Sequence, residues 1–253
     1  MSPVLTVSGL GKSWGGVRAV DNVSFAVAPA EMLALIGPNG AGKSTMFNMI
    51  GGQLRPETGS ITLGDRPIAG AKPGDLCRLG VGRTFQITET FASMTLRENV
   101  QTVLLAHRRQ IWRFWRDVAL QHTHAADRAL ALVGLAAQAD DPAGILAYGD
   151  LKRLELAMAL ASEPRLLLMD EPTAGMAQAE RTALMALVRR LATEQSLAVL
   201  FTEHDMDIVF GVADRILVLD RGRLVAEGDA AAIRANGLVQ QIYLGGGRVM
   251  GAA

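Results

Sequence analysis

Nine consecutive residues, Gly37-Pro38-Asn39-Gly40-Ala41-Gly42-Lys43-Ser44-Thr45, combine glycines, a lysine and a hydroxyl pair at the spacing G-x-x-x-x-G-K-[ST]. That spacing suits a phosphate. Glycines let the backbone close around an anion, and successive N–H groups turn inward as a nest. In this reading Lys43 reaches the β- and γ-phosphates of a nucleotide and the Ser44 hydroxyl binds Mg²⁺. The competing account is a glycine-rich turn that matches by chance. A second place for chemistry is Leu166-Leu167-Leu168-Met169-Asp170-Glu171-Pro172, an apolar run ending in two adjacent carboxylates. Alternation along an extended chain sends the two acids in different directions. Asp170 is then read as the Mg²⁺ ligand, through water, and Glu171 as the group that orients or deprotonates an attacking water. A polar turn is the competing account, since Asp-Glu-Pro suits one. Gln86 and His204 also close apolar runs. Alone, each reads as a solvated or structural side chain. Beside two phosphate-site motifs, Gln86 becomes a candidate to ligate Mg²⁺ and hold the water, and His204 a candidate to contact the γ-phosphate.

These residues need elements to hold them. Residues 32–36 form a short apolar run suited to a buried strand, and residues 43–50 contain no helix breaker before Gly51-Gly52. Strand, loop and helix in that order put the loop at a helix N-terminus, whose partial positive charge favours phosphate. Residues 4–14 and 17–27 alternate and are rich in Val, Leu and Phe, with Gly15-Gly16 between them, which predicts an antiparallel hairpin. Trp14 in that hairpin has two readings, a half-buried strand aromatic or a flat face for an adenine ring. The turn Pro56-Glu57-Thr58-Gly59 precedes a short strand over 60–63, and residues 80–86 read as another. From 96 to about 135 the pattern is helical. Within it, His107-Arg108-Arg109-Gln110-Ile111-Trp112-Arg113-Phe114-Trp115-Arg116 reads as a solvated helix with inward aromatics, a contact with lipid headgroups, or a nucleic-acid contact for which four arginines are weak support. Leu146-Ala147-Tyr148-Gly149-Asp150 is a glycine-bearing loop opening a helix over 151–162, a second place for an anion, and Pro164 stops that helix. Strands are expected over 165–170 and 198–202, and a hairpin over 216–220 and 223–227 around Arg221-Gly222. The Gly- and Ala-rich residues 245–253 read as a flexible tail.

The 253 residues are 49% apolar with a formal net charge of zero, so a large core is possible and no global field draws nucleic acid. Cys77 is the sole cysteine, which excludes an internal disulfide and fits a reducing compartment. No apolar run approaches the roughly 20 residues of a membrane span, and the first residues lack signal-peptide regions. A cytoplasmic chain able to dock on a membrane protein is the expectation.

Taken in order, the P-loop, the strand-end glutamine, the glycine-bearing loop, the acidic strand and the later histidine resemble the ATP-binding subunit of an ABC transporter. The resemblance covers nearly the whole chain. It implies an α/β P-loop NTPase (RecA-like) core with an antiparallel β subdomain and an inserted α-helical subdomain. The core and β subdomain would take residues 1–86 and 163–244, and the helical subdomain with the signature loop residues 87–162. It implies ATP and Mg²⁺ as cofactors. Trp14 would stack on adenine, residues 37–45 would bind the phosphates, and Ser44, Gln86 and Asp170 would serve the metal. Glu171, His204, Gln86 and Lys43 would carry catalysis. Ala147, Tyr148 and Gly149 would read the γ-phosphate of ATP held by a second ATPase subunit, the same chain or a homologue, in a head-to-tail dimer. Two integral membrane permease subunits, and indirectly a substrate-binding protein, are the implied partners, with no nucleic acid. The place is the cytoplasmic face of the membrane.

Residues 82–86, 96–100, 146–149 and 152–157, with Tyr243-Leu244-Gly245, look like the subgroup that imports branched-chain amino acids. The related urea importers remain open, as do an export ATPase and a non-transport ABC ATPase. The chain lacks the heptad runs and second P-loop expected of the last. It departs from the general family at Ala147 and Tyr148, where serine and glycine are usual, a change the subgroup shares. Asp150 stands for glutamine, and an acid there repels a γ-phosphate unless it caps the helix. Ala177 stands where an acid or amide usually couples the two sites.

Overall fold

A computed structural model describes residues 2–84, 90–107 and 122–244 of the chain. Two sheets organise it. The first is antiparallel and ordered β2-β1-β4-β5, from β1 (Leu5–Trp14), β2 (Val17–Val27), β4 (Thr58–Leu63) and β5 (Arg66–Pro67). The expected hairpin turns at Gly15 and Gly16, both with positive φ, the form that matches the twist of the strands it joins.

The second sheet has six strands in the order β10-β9-β3-β8-β7-β6. They are β3 (Met32–Ile36), β6 (Val81–Thr84), β7 (Leu166–Asp170), β8 (Ala198–Thr202), β9 (Arg215–Asp220) and β10 (Arg223–Gly228). All neighbours run parallel except the β9–β10 hairpin. Parallel strands are covered on both faces, which explains apolar runs without polar alternation. Successive residues of one strand enter different cores. Met32, Ala34 and Ile36 join one cluster with Leu167, Met169, Val199 and Phe201. Leu33 and Leu35 join the other with Leu166, Leu168 and Leu200.

The first cluster continues into α3 (Leu96–His107), α4 (Thr123–Leu132) and α5 (Tyr148–Leu160) through Leu96, Val100, Leu130 and Leu154. It also holds α6 (Gln178–Glu194), α7 (Met206–Val212), α8 (Ala230–Ala235) and α9 (Gly237–Leu244), through Met185, Val209, Ile233 and Val239. The second cluster packs α1 (Lys43–Ile50), by way of Met46, Phe47 and Ile50, between the two sheets. Leu76 of α2 (Pro73–Leu79), a helix with no clear periodic signal, closes its edge. Burying one such side chain stabilises by about 1.5–3 kcal/mol, so α1 and the loop before it are held firmly.

Two sequence expectations need correction. The helix placed at 151–162 is α5, which starts three residues earlier at Tyr148, with Ala147 as its N-cap and no side-chain cap. Asp150 therefore does not cap it. Asp150 lies inside the first turn, its N–H donating to the Ala147 carbonyl, and its carboxylate faces Arg153 at 3.6 Å. The tail at 245–253, Gln86 and the segment 108–116 lie outside the described residues.

Candidate nucleotide site

The P-loop leaves the carboxyl end of β3 and is wedged between the two sheets. Gly37 has φ 154°, and a Cβ there would sit 2.2 Å from the Leu219 carbonyl of β9. Gly42 has φ 104°, and a Cβ there would sit 2.2 Å from the Ala19 carbonyl of β2. Only glycine fits both the dihedral and the space. The turn of the β9–β10 hairpin adds a tie, Gly222 N–H donating to the Ala41 carbonyl at 2.9 Å. Gly42 is the N-cap of α1 and supplies no side-chain acceptor, so the first N–H groups of α1 are left to the loop's concave side. Asn39, Gly40 and Ser44 are exposed there, with Pro38 and Thr45 half-buried behind them.

Lys43 is buried, 8% exposed. Its Nζ donates to the carbonyls of Gly37 at 2.6 Å and Pro38 at 3.1 Å, which curls the ammonium over the loop. Burial holds its pKa below the usual lysine value, against the smaller pull of the Glu171 and Asp170 carboxylates. Those two acids are thus near enough for their field to reach the ammonium. Lys43 is poised for a polyanion, which would compensate its lost hydration.

The acids end β7. In register, Asp170 pairs with Thr202 at the end of β8. The Thr202 hydroxyl donates to Asp170 Oδ1 at 2.7 Å and accepts the Glu171 N–H at 3.0 Å. Glu171 has φ 50°, the left-handed region, a strained state for a non-glycine residue. Its carboxylate reaches His204, whose Nε2 lies 2.7 Å from Glu171 Oε1. With Glu171 ionised, Nε2 carries the proton of this bond. The geometry brings together Lys43, Asp170, Glu171 and His204 as the sequence suggested.

Several residues at this site were not anticipated. Thr202 is one. Glu203 is another, a 5%-exposed carboxylate that accepts from Thr173 N–H and from His204 N–H. Arg181 of α6 joins the Met176 carbonyl to Asp205, at 2.8 and 2.9 Å. Tyr243 of α9 places its hydroxyl against the Gly37 amide; burial pushes its pKa well above 10, and that amide pulls weakly the other way. The sequence signal for Thr202 and Glu203 was a polar pair closing a buried strand. Tyr243 had been noted only as part of a subgroup pattern.

Trp14 stands at the end of β1, 52% exposed, with Lys12 Nζ 4.9 Å from its ring centre. The Lys12 ammonium lies over one face of this exposed indole. Tyr148 is also exposed, and its hydroxyl donates to the Ala174 carbonyl at 3.1 Å. Gly149 is buried against Glu180, whose Oε2 accepts the Ala177 N–H at 3.1 Å. The start of α5 therefore rests on the loop that follows Glu171. Among the described residues no cluster of three His, Cys, Asp or Glu side chains could hold a metal alone. Mg²⁺ takes few protein oxygens and completes its shell with phosphate and water. Exposed Ser44 and the Asp170 carboxylate fit that donor set.

A P-loop at the carboxyl end of a parallel strand, with one strand between it and the strand bearing the acid pair, defines a nucleotide-binding α/β protein of the P-loop NTPase class. The ABC transporter family matches residues 20–174. The chain is 39% identical over 253 residues to the "high-affinity branched-chain amino acid transport ATP-binding protein LivG" of Salmonella typhimurium and of Escherichia coli, covering 96% of this chain and 98% of each relative. It is 38% identical over 252 residues to the protein of the same description, BraF, of Pseudomonas aeruginosa, with the same coverage. The crystal structure of a nucleotide-free ATP-binding cassette from an ABC transporter superposes with a TM-score of 0.84 at 29% identity, covering 95% of this chain and 98% of that one. An ATP-binding cassette in its ADP conformation superposes at 0.87 and 29%, covering 97% and 100%. The chain belongs to the ABC transporter family.

Proposed function

We propose that the chain is the ATP-binding and ATP-hydrolysing subunit of an importer for branched-chain amino acids. The observation that carries the reading is the Glu171–His204 contact of 2.7 Å beside a P-loop whose Lys43 feels both acids. Full-length identity to LivG and BraF supports the substrate class. Residues 37–45 bind the phosphates, and Trp14 offers its indole to adenine. Ser44, Asp170 and Gln86 would hold Mg²⁺, which would neutralise charge on the phosphates. Glu171 orients the attacking water and takes its proton, while the His204 imidazole fixes the carboxylate in the apo site and turns to the γ-phosphate when ATP binds. Ala147, Tyr148 and Gly149 meet the ATP of a second ATPase subunit. Catalysis is positioning and charge stabilisation more than covalent chemistry.

Two permease subunits are the membrane partners, and a substrate-binding protein delivers solute to them. No helix among the described residues is long and apolar enough to cross a membrane. A cavity of about 660 Å³ lined by Cys77, Phe91, Val103 and Met158 suits a permease contact. The chain then works on the cytoplasmic face. The test is uptake of labelled leucine and of labelled urea by host cells lacking this chain. Leucine uptake is expected to fall, to return with the wild type, and to stay low with Lys43→Ala or Glu171→Gln. Loss of urea uptake instead would move the substrate class, and no loss of either would overturn the reading.

A further inference from the structure

Glu203 stands apart among the acids of this site. It is 5% exposed and takes part in none of the described ion pairs. A carboxylate buried without a cation is costly unless hydrogen-bond donors replace its water. Here three do. Oε1 accepts the Thr173 N–H at 3.0 Å and the Thr173 hydroxyl at 2.5 Å, and Oε2 accepts the His204 N–H at 3.2 Å. Thr173 is 2% exposed and lies two residues after Glu171, while His204 directly follows Glu203. One carboxylate thus binds the backbone behind Glu171 to the backbone that carries His204. Thr202 does the same from the other side through the Glu171 N–H. Between these ties Glu171 is held at φ 50°, which it would otherwise leave.

We propose that Glu203 is a positioning residue for hydrolysis: through Thr173 and the His204 amide it holds the Glu171 carboxylate and the His204 imidazole in their 2.7 Å contact. This rests on the reading of Glu171 as the group that activates water. The relation is physical. Both catalytic side chains sit on short loops, and a displacement of about 1 Å at such a group lowers turnover as much as a hundredfold. Glu203 touches neither Lys43 nor the P-loop in any described contact, so its effect falls on turnover and not on nucleotide affinity.

The test uses the full chain and the variants Glu203→Gln, Thr173→Val and Thr173→Ser, with wild type and Glu171→Gln as references. Glutamine has the same shape but turns an NH₂ toward one of the three donors. Turnover is expressed per nucleotide site counted by ATP titration, so unfolded protein is not scored. Glu203→Gln and Thr173→Val are expected to lower kcat at least about tenfold with KM for ATP unchanged. The double variant should fall little further, because both changes break one link. Thr173→Ser, which keeps the hydroxyl, should retain most of the turnover. If wild type turns over, Glu171→Gln does not, and Glu203→Gln and Thr173→Val match wild type per site, the proposal is wrong and the reading of Glu171 stands. A raised KM at unchanged kcat also overturns it. If Glu171→Gln turns over like wild type, the reading of Glu171 fails and takes this proposal with it.

Discussion

Lys43 shows how one residue joins fold and chemistry. Its ammonium is buried over the P-loop on two carbonyls, at a cost in hydration that the nearby carboxylates only partly offset. Lys43→Ala removes that charge, and isothermal titration should register at least a hundredfold weaker ATP binding, with the fold intact by circular dichroism. Unchanged affinity would contradict the P-loop role. Thr202 is the second test at this scale. Thr202→Val keeps the shape but leaves the part-buried Glu171 N–H without its acceptor and Asp170 Oδ1 without its donor. Denaturant unfolding should show a loss of about 1–3 kcal/mol, with turnover reduced. The motif residues Gly37, Lys43, Ser44, Asp170 and Glu171 were legible because their chemistry dictates spacing along the chain. Glu203, Thr202 and Tyr243 were not, because each works through a partner some 30 or more residues away in sequence.

At the scale of elements, the loop from Glu171 to α6 ends on a residue that carries no capping side chain. Ala177 is the N-cap of α6 and gives it no side-chain acceptor. Ala177→Asp should stabilise the helix by about 1 kcal/mol, read as a melting temperature higher by about 2–4 °C. No rise would mean that the new carboxylate points elsewhere. The start of α5 makes a related point. Nothing at Ala147 signals a helix N-terminus, and Gly149 reads as loop. Yet Gly149 is pressed on Glu180 and Tyr148 is bonded to Ala174, so tertiary contacts carry the helix back to Tyr148. Uninterrupted apolar strands such as β3, β7 and β8 were readable from composition alone. Short helices such as α2 and α8 carry too few periodic positions to be read. Gly42→Ala tests the wedge between the sheets: the Cβ meets the Ala19 carbonyl, so soluble yield and ATP affinity should both fall.

At the scale of the molecule, Asp214 links the starts of β3 and β9 to α6. Its carboxylate accepts the Met32 N–H at 2.8 Å and pairs with the Arg189 guanidinium. Burial pushes its pKa up, but the bonds from Arg189 and Met32 outweigh that and hold it below the usual 3.8. A lowered folded-state pKa means stability that is present above the unfolded value and lost as pH falls through the folded one. Asp214→Asn should therefore be less stable than wild type at neutral pH, with the gap narrowing below about pH 4. A gap constant with pH would show that the carboxylate's charge is not what matters. Everything above turns on hydrolysis of ATP with Glu171 activating the water. The measurement that meets it most directly is phosphate release from saturating Mg-ATP by the full chain and by Glu171→Gln, with bound ATP quantified in both. Equal ATP binding is expected, with release at least a hundredfold slower in the variant. Equal release by the two proteins would contradict it.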